Sequence, residues 1–338
     1  MPFRDICGQD RPVRLLRRAW AGGRLAQAYC FTGPPGVGKR TTAVALAQAV
    51  KCLSPLTAPS GGEGPDACGA CRACTRIAAG QHPDVTLIAP EEKTVITIDQ
   101  IRGVAARAGL RAYEGTAKVW IFDPAHEMQE PAANAFLKTL EEPAAGTLFI
   151  LVTTTFSALL PTIRSRCQEV RFPALAEEHL RTILERHGRN TEDAAAAAAA
   201  AGGSAERALA LDAPEFCAMR ARLVEEVWNA LDSLPTLLDQ AERLAKDREG
   251  LEEALEALLV FTRDAAVAGI GPPGAPLLPA ERRAEVARVT GDATLAAVLQ
   301  VHAAQREAQQ ALAWHAQPRF AAERMLLKMR QAVAVGRK

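Results

Sequence analysis

The sequence has little net charge and few aromatic residues. Its 338 residues carry 40 Lys and Arg against 39 Asp and Glu, a formal net charge of +1, and Phe, Trp and Tyr make up only 5%. With balanced charges, the chain lacks the overall positive charge with which a protein binds nucleic acid by itself. The chain also lacks the dense Lys/Arg or aromatic surface with which nucleic-acid-binding modules read bases. Any contact with DNA is therefore expected to be local or shared with other chains.

Long apolar runs are absent as well. No apolar stretch approaches the roughly 18 to 20 residues that cross a membrane. The first five residues, Met-Pro-Phe-Arg-Asp, lack the apolar region of a secretion signal. We therefore expect a cytoplasmic protein. Hydrophobic residues still make up 49% of the sequence, which is enough for the cores of two or three domains.

A glycine-rich stretch dominates the first part of the chain. Residues 31–42 read Phe-Thr-Gly-Pro-Pro-Gly-Val-Gly-Lys-Arg-Thr-Thr, between an apolar strand at 28–31 and an alanine-rich helix at 41–50. Strand, glycine-rich turn and helix in this order are typical of a phosphate-binding P-loop. Glycines let backbone N–H groups turn towards phosphate oxygens, the helix N-terminus adds positive potential, and lysine reaches the terminal phosphates. The predicted nucleotide-binding residues here are Gly33, Gly36, Gly38, Lys39 and Thr41.

The residue after Lys39 departs from this motif. A Ser or Thr hydroxyl normally contacts the Mg²⁺ of the nucleotide from that position. Here the position holds Arg40, and Thr41 comes one residue later, on a different side of the helix. The glycines and Lys39 favour a bound nucleotide, whereas Arg40 disfavours correct Mg²⁺ binding. The sequence leaves open whether this site holds ATP with Mg²⁺.

Four of the eight cysteines follow the P-loop helix with the spacing C-x15-C-x2-C-x2-C. Cysteines two residues apart place their thiolates close enough to share one tetrahedral ion, and four thiolates leave a Zn²⁺ ion no open position for water. A reducing compartment favours such a metal site over disulfides. We therefore predict a structural zinc module at about residues 52–74, with the ligands Cys52, Cys68, Cys71 and Cys74.

A second motif places an acid at the end of an apolar strand. Residues 118–123 read Lys-Val-Trp-Ile-Phe-Asp, the pattern of a strand whose aspartate, here Asp123, orders Mg²⁺. A motor ATPase of this type needs a glutamate next, to polarise the attacking water. This sequence has Pro124 there, whose side chain accepts no proton. We therefore expect Pro124 to impair ATP hydrolysis in this chain, independently of the effect of Arg40.

Strands and helices alternate over about 150 residues, a pattern that predicts an α/β domain. Residues 147–152 are apolar throughout, as in a central parallel strand, and Thr153 and Thr154 follow where such a sheet binds ligands. A helix at 132–142 ends before Pro143. From residue 174 onwards the pattern is helical, first in three short segments and then, from residue 213, in long amphipathic helices without a catalytic constellation.

Residues 31–42, 118–128 and 134–143, together with Ser-Arg-Cys at 165–167, resemble the motifs of the AAA+ clamp-loader family. The zinc cysteines fit as well, since that family inserts them after the P-loop helix. The resemblance implies an AAA+ P-loop domain at 1–173 with a parallel sheet, flanking helices and a zinc-binding insertion. It also implies a small helical lid domain at 174–212 and an all-α collar domain at 213–338, through which subunits form a ring.

The resemblance assigns a role to Arg166, the arginine of Ser-Arg-Cys. In this family that arginine is a finger pointed from one subunit into the ATP site of its neighbour. A guanidinium there neutralises charge on the γ-phosphoryl group during transfer, and supplying it in trans makes hydrolysis depend on assembly. The implied partners are gamma/tau-type motor and delta subunits and, through the assembled complex, the sliding clamp and primer-template DNA.

The lid contains a third departure. The family members that hydrolyse ATP carry an arginine three positions after the lid glycine, here Gly203. This sequence has Glu206 at that position.

Three interpretations follow. The first is an assembly subunit that helps to load the sliding clamp onto primed DNA, donates Arg166 in trans and is a poor or inactive ATPase. The second is an ATP-hydrolysing motor of the gamma/tau type, using Lys39, Asp123 and a sensor Thr153 or Thr154. The third, a zinc-dependent DNA-binding module, is disfavoured by the balanced charge. The departures that favour the first interpretation over the second are Arg40, Pro124 and Glu206.

Overall fold

The computed structural model describes residues 1–56, 64–91, 95–115, 117–211, 213–270, 280–291, 293–314 and 316–336. The chain divides into two compact units, Met1–Ala210 and Leu211–Lys338. Residues 57–63 of the predicted zinc module lie outside the described residues.

The first unit is built on a five-stranded sheet. Its strands are β1 (Ala28–Thr32), β2 (Val85–Ile88), β3 (Lys118–Phe122), β4 (Thr147–Thr153) and β5 (Gln168–Arg171). Their order in space is β2-β3-β4-β1-β5, and each neighbouring pair is parallel. The predicted parallel sheet is confirmed.

Helices connect the strands and continue after them. The first helix, α1 (Asp10–Ala21), precedes β1. Those between the strands are α2 (Lys39–Lys51), α3 (Arg72–Ala78), α4 (Ile98–Ala108), α5 (Glu130–Glu141) and α6 (Pro161–Arg164). Three helices follow the sheet: α7 (Glu177–Arg186), α8 (Thr191–Ala200) and α9 (Ala205–Ala210).

Both faces of the sheet are covered, which explains why its central strands are apolar throughout. Successive side chains of a strand point to opposite faces. Tyr29 and Phe31 of β1 join a core with α1 and α2, whereas Cys30 between them joins a core with α4 and α5. In the second core the ring of Phe136 lies 4.7 Å from that of Phe122, measured between centroids.

The P-loop helix α2 begins two residues earlier than the sequence pattern predicts, at Lys39 rather than at residue 41. Gly38 precedes it with a left-handed φ of 95° and ends the loop there. Because the helix begins at Lys39, both Lys39 and Arg40 lie in its first turn, where backbone N–H groups have no partner within the helix.

The second unit is helical, as predicted. Its helices are α10 (Ala213–Ala230), α11 (Leu234–Leu244), α12 (Arg248–Ile270), α13 (Ala280–Thr290), α14 (Leu295–Ala313) and α15 (Pro318–Gly336). They share one apolar core, in which Trp228 packs edge-on against Phe261. Among the described residues, no helix combines the length and apolarity that a membrane crossing requires.

Candidate functional site

The ends of three neighbouring strands position the candidate nucleotide site. The P-loop follows β1, Asp123 follows β3, and Thr153 is the last residue of β4, which lies between those two strands. The carboxyl ends of parallel strands meet at one edge of a sheet, where such folds bind ligands. A cavity of about 560 Å³ opens at this edge.

The cavity brings most of the predicted nucleotide-binding residues together. Those lining it are Gly36, Gly38, Lys39, Thr41, Asp123, Thr153 and Thr154. Gly33 is not part of the lining and has a backbone role instead. Its φ is 147°, and a Cβ at this position would lie 2.1 Å from the carbonyl oxygen of Phe172, so only glycine fits.

Lys39 is turned inward onto the P-loop itself. Its side chain is buried, and Nζ donates hydrogen bonds to the carbonyl oxygens of Gly33, at 2.6 Å, and Pro34. Burial lowers the pKa of Lys39, while the carboxylates of Asp123 and Glu206 act in the opposite direction. To reach a phosphate, the Lys39 side chain would have to give up these two hydrogen bonds to the P-loop carbonyls.

Arg40 lies beside the acid that the motif provides for Mg²⁺. Its Nε is 3.8 Å from Oδ2 of Asp123. Burial raises the pKa of Asp123, and the cations Arg40 and Lys39 oppose that rise. The glycines and Lys39 fit the phosphates of a nucleotide, but a guanidinium at this carboxylate does not fit a Mg²⁺ ion, because both are cations competing for one ligand.

Thr153 and Thr154 differ in their surroundings. Thr153 is buried, and its Oγ1 lies 3.2 Å from Nδ1 of His126 and donates to the carbonyl oxygen of Thr155. The side chain of Thr154 is exposed, and its backbone oxygen accepts a hydrogen bond from Gly33. Sequence reasoning missed His126, which also lines the cavity. The available signal was its position three residues after Asp123, just beyond the end of β3.

The start of α9 contacts the P-loop directly. The backbone N–H of Ala205 donates to the carbonyl oxygen of Gly36 at 2.8 Å. A Cβ on Gly36 would lie 2.0 Å from Oγ of Ser204 and 2.9 Å from Cβ of Glu206. Glu206 therefore lies on the rim of the cavity, where it adds a negative charge facing Lys39 and Asp123.

The four predicted metal ligands converge. The sulfur atoms of Cys52, Cys68, Cys71 and Cys74 all lie within 4.8 Å of one another. Cys52 and Cys71 are 4.0 Å apart, as are Cys68 and Cys74. Zinc–sulfur bonds of about 2.3 Å in a tetrahedron require sulfur–sulfur distances of about 3.8 Å. The cluster could therefore hold a metal ion such as zinc with little rearrangement.

Arg166 is not brought to this cavity. It lies between α6 and β5 with an exposed side chain. Its guanidinium donates to Oε1 of Glu141 at 2.6 Å, to the carbonyl oxygen of Thr162 at 2.9 Å and to Oγ of Ser165 at 3.1 Å. The arginine is therefore ordered by contacts within its own chain.

Comparison with known proteins decides the family. The family model described as "DNA polymerase III, delta subunit" matches residues 8–176, which is half of the chain. DNA polymerase III subunit delta' of Bacillus subtilis is 31% identical over 270 residues, covering 78% of this chain and 78% of that protein. The chain is a member of the DNA polymerase III delta-prime family.

Two further relatives place this membership in context. Delta-prime of Pseudomonas aeruginosa is 42% identical over 155 residues, and the match spans 45% of each chain, about half the length of that relative. DNA polymerase III subunit tau of Salmonella typhimurium is 34% identical over 193 residues, but the match covers 57% of this chain and only 28% of tau. The likeness to tau is thus confined to part of the tau chain, whereas the Bacillus delta-prime match spans most of both chains.

Proposed function

We propose that this chain is a delta-prime-type subunit of the bacterial replicative clamp loader. It donates Arg166 as an arginine finger to the ATP site of a neighbouring subunit and hydrolyses little or no ATP itself. Through the assembled ring it helps to load the sliding clamp onto primed DNA. The observation that carries this proposal is the pair of Arg40 and Asp123, because it places a cation at the carboxylate that a hydrolytic site reserves for Mg²⁺.

The rest of the chain's own site supports a weak or absent ATPase. Pro124 follows Asp123 and supplies no group to activate water. Glu206 lies at the rim of the cavity, where a lid arginine would add positive charge near the phosphates. A carboxylate there repels the γ-phosphate of a bound nucleotide.

Arg166 suits a role in trans. It is exposed and lies outside the cavity of its own chain, so another subunit has access to it. A guanidinium offers planar pairs of N–H donors that match two phosphoryl oxygens. The partners that this role requires are motor subunits of the gamma/tau type, with a delta subunit completing the ring.

We further propose that the four-cysteine cluster binds one structural Zn²⁺. Four thiolates form a closed shell, so the ion would stabilise the segment between α2 and α3 and take no part in catalysis. Cysteines kept as thiolates for a metal suit a reducing compartment, and we expect this subunit to work in the cytoplasm.

ATP turnover by a clamp loader reconstituted from motor subunits, delta and this chain tests the proposal. We expect Arg166→Ala to lower the rate with the ring still assembled, whereas Lys39→Ala leaves it unchanged. An arginine finger supplied in trans is worth about 10³-fold or more at its site, although other intact sites dilute the loss in the total rate. A fall with Lys39→Ala and none with Arg166→Ala would overturn the proposal in favour of the motor interpretation.

A further inference from the structure

Arg166 contacts two helices that pack into the same apolar core. Glu141, which accepts from Nη2, is the last residue of α5, and Thr162, which accepts from Nη1, belongs to α6. Leu140 of α5 and Ile163 of α6 are both buried in the same apolar core. The carboxylate and the carbonyl therefore contact the guanidinium from two helices that share one core.

The contacts use only part of the guanidinium. It has five N–H donors. Among the described residues, Nη1 donates to Thr162 and Ser165, and Nη2 donates to Glu141. Nε–H and one N–H of Nη2 are left over, and N–H donors of a guanidinium bind the oxygens of a phosphoryl group.

We propose that Glu141 is a positioning residue for Arg166: it holds the guanidinium so that its remaining N–H donors are ready to meet the neighbouring subunit's γ-phosphate. This inference rests on the proposed function, since it assigns Glu141 a role only if Arg166 acts in trans. In this role Glu141 acts only through Arg166. It limits the conformations of a long, exposed side chain that would otherwise lose rotamer freedom on docking.

The size of the expected effect follows from the solvent exposure of the ion pair between Glu141 and Arg166. Both side chains are partly exposed, at 37% for Arg166 and 49% for Glu141, and exposed ion pairs are weak. Removing the pair should therefore cost much less than removing the arginine. We expect a fall of about 2- to 5-fold in kcat at the dependent site.

The test compares Glu141→Ala, Glu141→Gln and Glu142→Ala in the reconstituted clamp loader. Glu142 is the matched control, because it is the adjacent exposed acid at the end of α5. We expect kcat to fall in the order wild type, Glu141→Gln, Glu141→Ala, because glutamine keeps an acceptor oxygen but loses the charge. The KM for ATP should be unchanged, since the nucleotide is bound by the neighbour, and Glu142→Ala should behave as wild type.

A double variant separates positioning from a general effect on the ring. Glu141→Ala added to Arg166→Ala should lower the rate no further. An equal fall in both backgrounds, or a wild-type kcat for Glu141→Ala while Arg166→Ala is impaired, would overturn this inference alone. If Arg166→Ala itself has a wild-type rate, the proposed function fails and the inference fails with it.

Discussion

Arg40 and Asp123 face each other at the edge of the sheet, with Arg40 Nε 3.8 Å from Asp123 Oδ2. Arg40 lies in the first turn of the P-loop helix α2. Asp123 follows β3, which is separated from β1 by β4 in the sheet. In a hydrolytic P-loop site, a hydroxyl and a carboxylate at these two positions bind Mg²⁺. Two further departures, Pro124 and Glu206, act in the same direction, so the proposed loss of hydrolysis does not depend on a single residue.

The isolated chain is expected to release phosphate from ATP at the background rate. Pro124→Glu alone should not restore turnover, because Arg40 still competes with Mg²⁺ for Asp123. Only in combination with Arg40→Thr, which removes the cation and supplies a hydroxyl, should this variant gain measurable activity. A phosphate-release assay on the wild type, both single variants and the double variant checks this. Fast turnover by the wild type would show that its own site is a working motor.

Metal analysis is expected to find one Zn²⁺ per chain in protein purified without chelator. Structural zinc can contribute on the order of 10 kcal/mol to folding, so chelation or Cys71→Ser should lower the thermal unfolding temperature markedly. Cys7→Ser is the control, because Cys7 is a free cysteine outside the cluster. Protein that contains no metal and is insensitive to chelator would refute the zinc assignment.

A buried ion pair ties the end of α2 to the start of β2. Nζ of Lys51 donates to Oδ2 of Asp84 at 2.8 Å and to two backbone carbonyls, and the side chains are only 3% and 2% exposed. Breaking such a pair leaves an unpaired buried charge. We expect Lys51→Met to lower the free energy of unfolding by about 3 to 5 kcal/mol. Urea unfolding measures this, with Arg102→Met, which breaks an exposed pair, expected to change little.

The same pair predicts a pH dependence. Burial alone would raise the pKa of Asp84, but hydrogen bonds from Lys51 and from the backbone N–H groups of Glu114 and Tyr113 hold it below its usual value. A depressed pKa stabilises the fold above the unfolded-state value of about 3.9, and this stabilisation is lost as the pH falls through the folded-state pKa. Asp84→Asn should therefore be less stable than wild type near neutral pH, with the difference shrinking in acid. A difference that stays constant to pH 3 would contradict this assignment.

Local patterns in the sequence predicted the parts of the fold that depend on neighbouring residues. The glycines around Lys39 lie in one short segment, and Cys68, Cys71 and Cys74 lie in another. The local sequence of each segment was therefore enough to predict its geometry. The acid at the end of β3 could be placed near the P-loop because parallel strands end at one edge. The course of the helices could likewise be read from their apolar periodicity.

Contacts between distant segments could not be predicted in this way. Nothing in the sequence indicates that α9 begins on the carbonyl of Gly36, that His126 meets Thr153, or that Glu141 holds Arg166. Each of these pairs depends on how separate elements pack, and no spacing rule relates its members. The start of α2 was also misplaced, because the left-handed conformation of Gly38 and not the alanine pattern sets it.

The central claim, that this chain supplies an arginine in trans and not a hydrolytic site, is tested most directly by a single-turnover experiment on the reconstituted ring. The quantity to measure is the number of ATP molecules hydrolysed per ring in the first burst on adding clamp and primed DNA. The account predicts that Arg166→Ala lowers this number by the contribution of one site, while Lys39→Ala leaves it at the wild-type value. A burst that falls with Lys39→Ala and is unchanged with Arg166→Ala would contradict it.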